Sequence, residues 1–147
     1  MTVDIKFVKL KPDAKVPTKG SACAAGYDLY ACIGEITTIP PHGTVKIGTG
    51  LAIQPPAGYW GAILARSGLA TKQGLRPANC VGMCDEDYTG EYIVALHNDT
   101  DVEQTIHHGD RIAQLTFIPY LNVNFEEAES LDETERGSGG FGSTGAN

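Results

Sequence analysis

Four short stretches of the chain put ionisable side chains next to glycines, hydroxyls and strand-like runs. In "ARSGLATKQG" an apolar run ends at Arg66, Ser67 and Gly68 and passes into a brief helical pattern closed by Gly74. The unpaired N–H groups of a helix start, a Ser hydroxyl, a Gly that lets the backbone come close and a guanidinium together suit phosphate oxygens. The same residues also read as a plain Ser N-cap, and the lysine spacing of a Walker loop is lacking. In "NCVGMCDEDYTGEY", Asp85, Glu86 and Asp87 crowd like charges beside Tyr88 and two glycines. That stretch is either a solvated turn or a carboxylate orienting water beside a metal-bound nucleotide, with an aromatic ring lining the pocket. Carboxylates are weak bases, so such a group works mainly by orientation, while Mg2+ and arginines stabilise the developing charge. "AGYDLYA" carries Asp28 among apolar neighbours, where a turn or strand-edge residue is the simplest reading. "GDRIAQL" holds Asp110, Arg111 and Gln114, with Asp110 and Arg111 expected to form a structural ion pair.

A fifth stretch, "ERGSGGFGSTGAN" at positions 135–147, has the glycine content of a flexible tail. It nevertheless contains Arg136, Phe141, Ser143 and Thr144, a cation, a flat ring and two hydroxyls that a spacer does not need.

The elements that must hold these residues are mostly strands. "DIKFVKL", "YDLYAC", "GEITTI", "TVKIGTGLAI", "YWGAILA", "EYIVALHN" and "RIAQLTFIPY" are short β-rich runs, and most of the 18 glycines and 8 prolines fall between them. Little helix and regular short strands predict an all-β sandwich, jelly roll or barrel. The 147 residues suffice for one domain with its own core. From position 126 the pattern decays into acid, then glycine, so a body over 1–129 and a flexible C-terminal segment over 130–147 are expected. The acidic run from Glu126 to Glu135 reads as a solvated stretch.

A net charge of −7 argues against nucleic-acid binding through a basic face. No apolar run reaches the ~18 residues of a membrane span, and the N-terminus lacks a signal-peptide core. The chain is therefore read as soluble and intracellular, with its compartment undetermined. Cys23, Cys32, Cys80 and Cys84 are read as structural thiols. The C-x3-C spacing of Cys80 and Cys84 is not that of a zinc knuckle, and on a strand both would face the core.

Taken in order, "AGYDLYA", "ARSGLA", "GMCDEDYTGE", "GDRIAQ" and "RGSGGFGSTG" resemble the five motifs of the homotrimeric dUTPase family (dUTP diphosphatases) and span positions 25 to 145. The resemblance implies a distorted β jelly roll assembled as a homotrimer, with active sites at the subunit interfaces and a C-terminal tail exchanged between subunits. It implies Mg2+-dependent hydrolysis of dUTP to dUMP and diphosphate by water attack on the α-phosphorus. That reaction limits uracil incorporation into DNA and supplies dUMP for dTMP synthesis. By the same resemblance, Asp85 orients the attacking water and Tyr88 packs on the deoxyribose. Asn79 and the backbone of Gly82, Met83 and Cys84 read uracil. Arg66, Ser67, Gly68 and Gln114 contact phosphate, and Asp28 reaches the metal through water. Arg136 meets the terminal phosphate, Phe141 stacks on uracil, Gly140 and Gly142 let the tail close, and Ser143 and Thr144 lie near the γ-phosphate. Discrimination against dTTP is expected from a backbone turn near Gly82.

One departure is visible: Cys84 stands where the family usually has an aliphatic residue, which raises the expectation of sensitivity to thiol reagents. Two rival readings remain. A dCTP deaminase shares the fold and trimer but carries an Arg-Ser-Ser type second motif and a catalytic glutamate. A nucleotide-gated interaction protein would bind a partner through the trimer surface.

Overall fold

The computed structural model describes residues 2–142. Alternation of side chains decides the strands. Along β9 (Glu91–Asn98), Tyr92, Val94, Leu96 and Asn98 are buried while Ile93 faces outward, the period-two pattern of a strand with one face on a core. In chain order the elements are β1 (Lys6–Lys9), β2 (Thr18–Lys19), β3 (Tyr27–Tyr30), β4 (Thr37–Ile39), β5 (Thr44–Gln54), β6 (Tyr59–Leu64), α1 (Ser67–Gln73), β7 (Leu75–Pro77), β8 (Val81–Cys84), β9, β10 (Gln104–Ile106) and β11 (Arg111–Pro119).

All pairings are antiparallel. They build a sheet of order β1-β5-β9-β7, a second of order β2-β3-β11-β6-β8, and a two-stranded β10-β4 ribbon. Leu29, Ile63, Ala113 and Leu115 from one large sheet meet Ile47, Leu51, Tyr92, Val94 and Leu96 from the other in a single core, joined by Ile39 and Ile106 of the ribbon. Buried Asn98 links β9 to that ribbon: its amide donates to the carbonyls of Ile39, Pro40 and Val102, and its oxygen accepts from Thr100. A buried amide with its polar atoms paired fixes the junction without leaving a desolvated group. The result is the all-β, distorted jelly-roll architecture expected from the sequence.

Several local expectations are corrected. Arg66, not Ser67, is the N-cap of α1, with φ −84° and ψ 128° and no side-chain cap bond; Ser67 is the first helical residue. Gly74 does close the helix, at φ +66°, where a Cβ would also lie 2.5 Å from Thr100 Cγ2. Cys80 is exposed in the Pro77–Cys80 turn at φ +62°, so only Cys84 of that pair enters the core. Asp110 does not pair with Arg111: its carboxylate accepts the His107 N–H, while Arg111 turns to Asp28. Positions 81–84, read as part of a turn, are strand β8, so Gly82 presents extended backbone.

Candidate active site

Central strand β11 builds one cleft by register alone. Gln114 sits opposite Asp28 of β3 on one side and opposite Leu64 of β6 on the other, and β6 then runs out to Arg66. A cleft of about 390 Å3 is lined by Asp28, Arg66, Ser67, Gly68, Arg111 and Gln114, together with residues of the loop before β3. Asp28 is largely sheltered and clamped by two guanidinium groups, accepting from Arg66 Nε at 2.8 Å and Arg111 Nη1 at 3.4 Å. It therefore aims both arginines across the cleft floor. Gln114 Nε2 donates to the Ala65 carbonyl at 2.8 Å, and Gly26 leaves room for that side chain, because a Cβ there would lie 2.6 Å from Gln114 Oε1. Gly68 differs: a Cβ on it would meet nothing within 4 Å, so nothing within the chain demands glycine at that position. The N–H groups of Ser67 and Gly68 open the helix, whose first backbone bond runs from Ala70 N–H to the Arg66 carbonyl.

Asp85 lies elsewhere. Strand β8 pairs with β6 so that Cys84 faces Gly61, which carries Asp85 toward Trp60 at the far end of β6. There a second cleft of about 640 Å3 is lined by Trp60, Met83, Asp85, Glu86, Asp87 and Tyr120 with the loop after β5. The carboxylate of Asp85 accepts no hydrogen bond among the described residues, whereas Glu86 is tied down by the Tyr120 hydroxyl at 2.6 Å and the Gly58 N–H at 2.8 Å. Those two bonds hold the Glu86 carboxyl below its usual range. From Trp60 to Arg66 is six strand steps, about 20 Å at ~3.3 Å per residue. One chain thus keeps the exposed carboxylates and the arginine-lined cleft at opposite ends of β6.

The remaining motif residues fall outside both clefts. Tyr88 is half-exposed on the turn after Asp85; its hydroxyl donates to the Glu91 carbonyl at 2.8 Å, and its ring stacks on Tyr92 with centroids 6.3 Å apart. Gly90 beneath it has no room for a Cβ, which would sit 2.5 Å from the Tyr88 hydroxyl. The ring is therefore held from three sides. Asn79 is exposed in the turn before β8, and Gly82 contributes backbone next to Ile63. Cys84 is buried, and burial pushes its thiol up to about 11. A thiol protonated and out of reach argues against the expected reagent sensitivity. Tyr92 is wholly buried behind it, with a hydroxyl that finds no hydrogen-bond partner among the described residues. In the tail, Arg136 Nε donates to the Gly139 carbonyl at 2.8 Å, and Phe141 and Gly142 are exposed. Ser143 and Thr144 lie outside the described residues.

Sequence reasoning missed Arg111 as a cleft residue, because an adjacent Asp-Arg pair reads locally as an ion pair. On a regular strand the i, i+3 spacing puts Arg111 and Gln114 on opposite faces, and only the β-bulge between Arg111 and Ala113, which local sequence does not signal, lets both line the cleft. Trp60 and Tyr120, which wall the acidic cleft, carried no signal in the sequence.

The dUTPase family model matches residues 12–145. A deoxyuridine 5'-triphosphate nucleotidohydrolase of Candida albicans is 47% identical, covering 99% of this chain and 91% of the relative. One from Desulfitobacterium hafniense is 48% identical, covering 97% and 95%. Among solved structures, the dUTPase of Staphylococcus bacteriophage 80alpha with dUpNHpp superimposes with a TM-score of 0.89 at 26% identity, covering 99% of this chain and all of that one. With nearly the whole length matched at this identity, and with its motif residues held on the strands described above, the chain belongs to the dUTPase family.

Proposed function

We propose that this protein hydrolyses dUTP to dUMP and diphosphate, at sites completed by more than one copy of the chain. The observation that carries the reading is the convergence of residues from three separated motifs, Asp28, Arg66 to Gly68 and Gln114, on one cleft of phosphate-binding character. Relatives matched over almost their full length are named for this reaction, and a structural neighbour holds a dUTP analogue.

Two guanidinium groups, the Ser67 hydroxyl and the N–H groups at the start of α1 supply donors for phosphate oxygens, and the open space over Gly68 suits a ligand's close approach. Asp85 orients the water: its unengaged carboxylate accepts a proton of the attacking molecule, the water oxygen bonds to the α-phosphorus, and the bond to the bridging oxygen of diphosphate breaks. Tyr88, held rigidly by Glu91 and Tyr92, packs on the sugar and leaves no room for a 2′-hydroxyl. The extended backbone from Gly82 to Cys84, with Asn79, reads uracil and meets a C5-methyl sterically.

Because Asp85 and the arginine cleft are about 20 Å apart along β6, an in-line attack needs the acidic end of one chain against the phosphate cleft of another. A homotrimer satisfies this, and the surface beyond β11 supports it. Leu121, Val123 and Phe125 alternate with asparagines and are 85%, 64% and 94% exposed, an apolar segment outside the sheets suited to a neighbouring chain. The segment 130–147 then closes over a site formed by its neighbours, with Arg136 on the terminal phosphate and Phe141 on uracil. Ordering about a dozen residues costs on the order of 12–24 kcal/mol, against ~1–3 kcal/mol from one base stack. Closure therefore depends on the charge-assisted bonds that only a triphosphate supplies.

Mg2+ prefers phosphate oxygens, water and one or two carboxylates. Asp28 has both oxygens engaged by arginines, so it would hold the ion only through water, and the nucleotide itself would furnish the direct oxygens. When bound, the ion neutralises charge on the triphosphate and helps to align it.

The test is diphosphate release from dUTP, dCTP, dTTP and UTP, with Mg2+ and with chelator, for the parent chain and Asp85→Asn. Release from dUTP alone, abolished by chelator and by the substitution, is expected. Ammonia from dCTP would move the chain to the deaminase branch, and silence on all four would leave a nucleotide-binding protein.

A further inference from the structure

At the end of the molecule where the β1–β2 loop, the end of β3 and the β10–β11 turn meet, three different donor groups face one another. Asp13, Cys32 and His108 each present one donor atom, and all three atoms lie within 4.8 Å of one another. None of them lines either cleft of the candidate active site. Cys32 Sγ is 3.4 Å from Asp13 Oδ1, and His108 Nδ1 is 3.8 Å from Asp13 Oδ2.

The second distance is the informative one. At 3.8 Å the imidazole is too far from the carboxylate for a hydrogen bond. In a tetrahedral zinc site, however, bonds of ~2.3 Å to sulfur and ~2.0–2.2 Å to nitrogen and oxygen put neighbouring ligand atoms about 3.4–3.6 Å apart. Cys32 Sγ now donates to Asp13 Oδ1, and with one donor atom from each residue within 4.8 Å of the others, a single ion can reach all three once that S–H bond is given up. The sulfur is well anchored. Gly50, at φ +68°, packs so tightly behind it that a Cβ there would lie 2.8 Å from Cys32 Sγ. Burial and the bond to Asp13 hold the Cys32 thiol up in the protonated form, and Lys11, which donates to the Cys32 carbonyl at 3.1 Å, offsets part of that rise. Asp13 and His108 are partly exposed and give solvent a path to the sulfur.

We propose that Asp13, Cys32 and His108 form a three-residue site for Zn2+ or a similar borderline-soft divalent ion, with water in the fourth position. Thiolate and imidazole select such an ion over Mg2+, which separates this site from the metal of the hydrolytic reaction. On binding, the Cys32 S–H bond breaks, its proton leaves to solvent, and the thiolate sulfur bonds to the ion. The charges of thiolate and carboxylate then balance the dication. By tying three loops together, the ion stabilises that end of the barrel.

The experiment titrates Co2+ and Cd2+ into the full-length protein carrying Cys23→Ser and Cys80→Ser, which removes both exposed thiols. The readouts are the thiolate charge-transfer band, the visible Co2+ bands of tetrahedral coordination, and the melting temperature with Zn2+. Saturation at one ion per chain is expected, with the charge-transfer band abolished by Cys32→Ser and affinity lowered at least ~10-fold by His108→Ala, since even outer partners of a metal typically cost that much. His108 is surface-accessible, so that variant does not threaten folding. No charge-transfer band, a band that survives Cys32→Ser, or unchanged affinity in His108→Ala each overturns the site.

Discussion

The buried hydroxyl of Tyr92 offers a quantitative check on the core behind the acidic motif. Tyr92 is fully buried and its hydroxyl lacks a hydrogen-bond partner among the described residues. A buried donor left unpaired costs about 1–3 kcal/mol of desolvation. Tyr92→Phe removes that group and keeps the ring that stacks under Tyr88. What is lost is a handful of dispersion contacts, at ~0.1–0.2 kcal/mol each, or about 0.5 kcal/mol in all. The net expectation is stabilisation by about 0.5–2.5 kcal/mol, which for a chain of this length raises Tm by roughly 1–10 °C. Thermal melts followed by circular dichroism at fixed chain concentration measure this, with kcat and KM for dUTP as a control that should not move. The Cys84 thiol is the polar group facing the hydroxyl: burial raises both groups, and their mutual contact raises Tyr92 further while partly offsetting the rise at Cys84. A destabilisation of about 1 kcal/mol or more would refute the reasoning, because it would mean that the hydroxyl and that thiol share a working hydrogen bond.

Three further predictions follow from the same geometry. Asp85→Ala and Arg66→Ala chains should each be inactive alone, yet on the proposed arrangement, in which a site takes the two residues from different copies, refolding them together at equal amounts should restore about a quarter of the sites; no recovery would place both residues of a site on one chain. Under native conditions an alkylating reagent should label Cys23 and Cys80 and leave buried Cys84 unmodified, as read from peptide masses, with all four labelled after unfolding. Glu86 and Asp99 are held below the usual carboxylate range, Glu86 by the Tyr120 hydroxyl and the Gly58 N–H and Asp99 by the Arg76 guanidinium. Groups with depressed values lend stability that is complete above the unfolded range and fades as pH falls through the lowered ones. Urea midpoints should therefore hold from neutrality to about pH 5 and drop below about pH 4, with a shallower drop in Asp99→Asn.

How far the sequence could be read depended on the range of the interactions involved. Alternation in "EYIVALHN" and "RIAQLTFIPY" and the Gly74 stop after α1 are local, and β9, β11 and the helix end lie where they were expected. The reading failed where a neighbour in space outbid a neighbour in sequence. Arg111 passes over adjacent Asp110 for Asp28, 83 residues away, because β3 and β11 pair side by side. Cys80 leaves the core because the turn after β7 takes it to positive φ, a conformation that a period-two pattern does not contain. Ser67 yields the cap position to Arg66, whose side chain is already committed to Asp28.

The chain's composition, strand periodicity and five ordered motifs determined the all-β class, the family and the residue types available for phosphate chemistry, since each is written in short stretches with fixed spacing. Only the tertiary structure decided which of those residues meet. Strand register around β6 and β11 assembles Asp28, Arg66, Arg111 and Gln114 into one cleft and carries Asp85 to the other end of the same strand. Pairing register joins positions far apart in sequence, and no spacing along the chain encodes it.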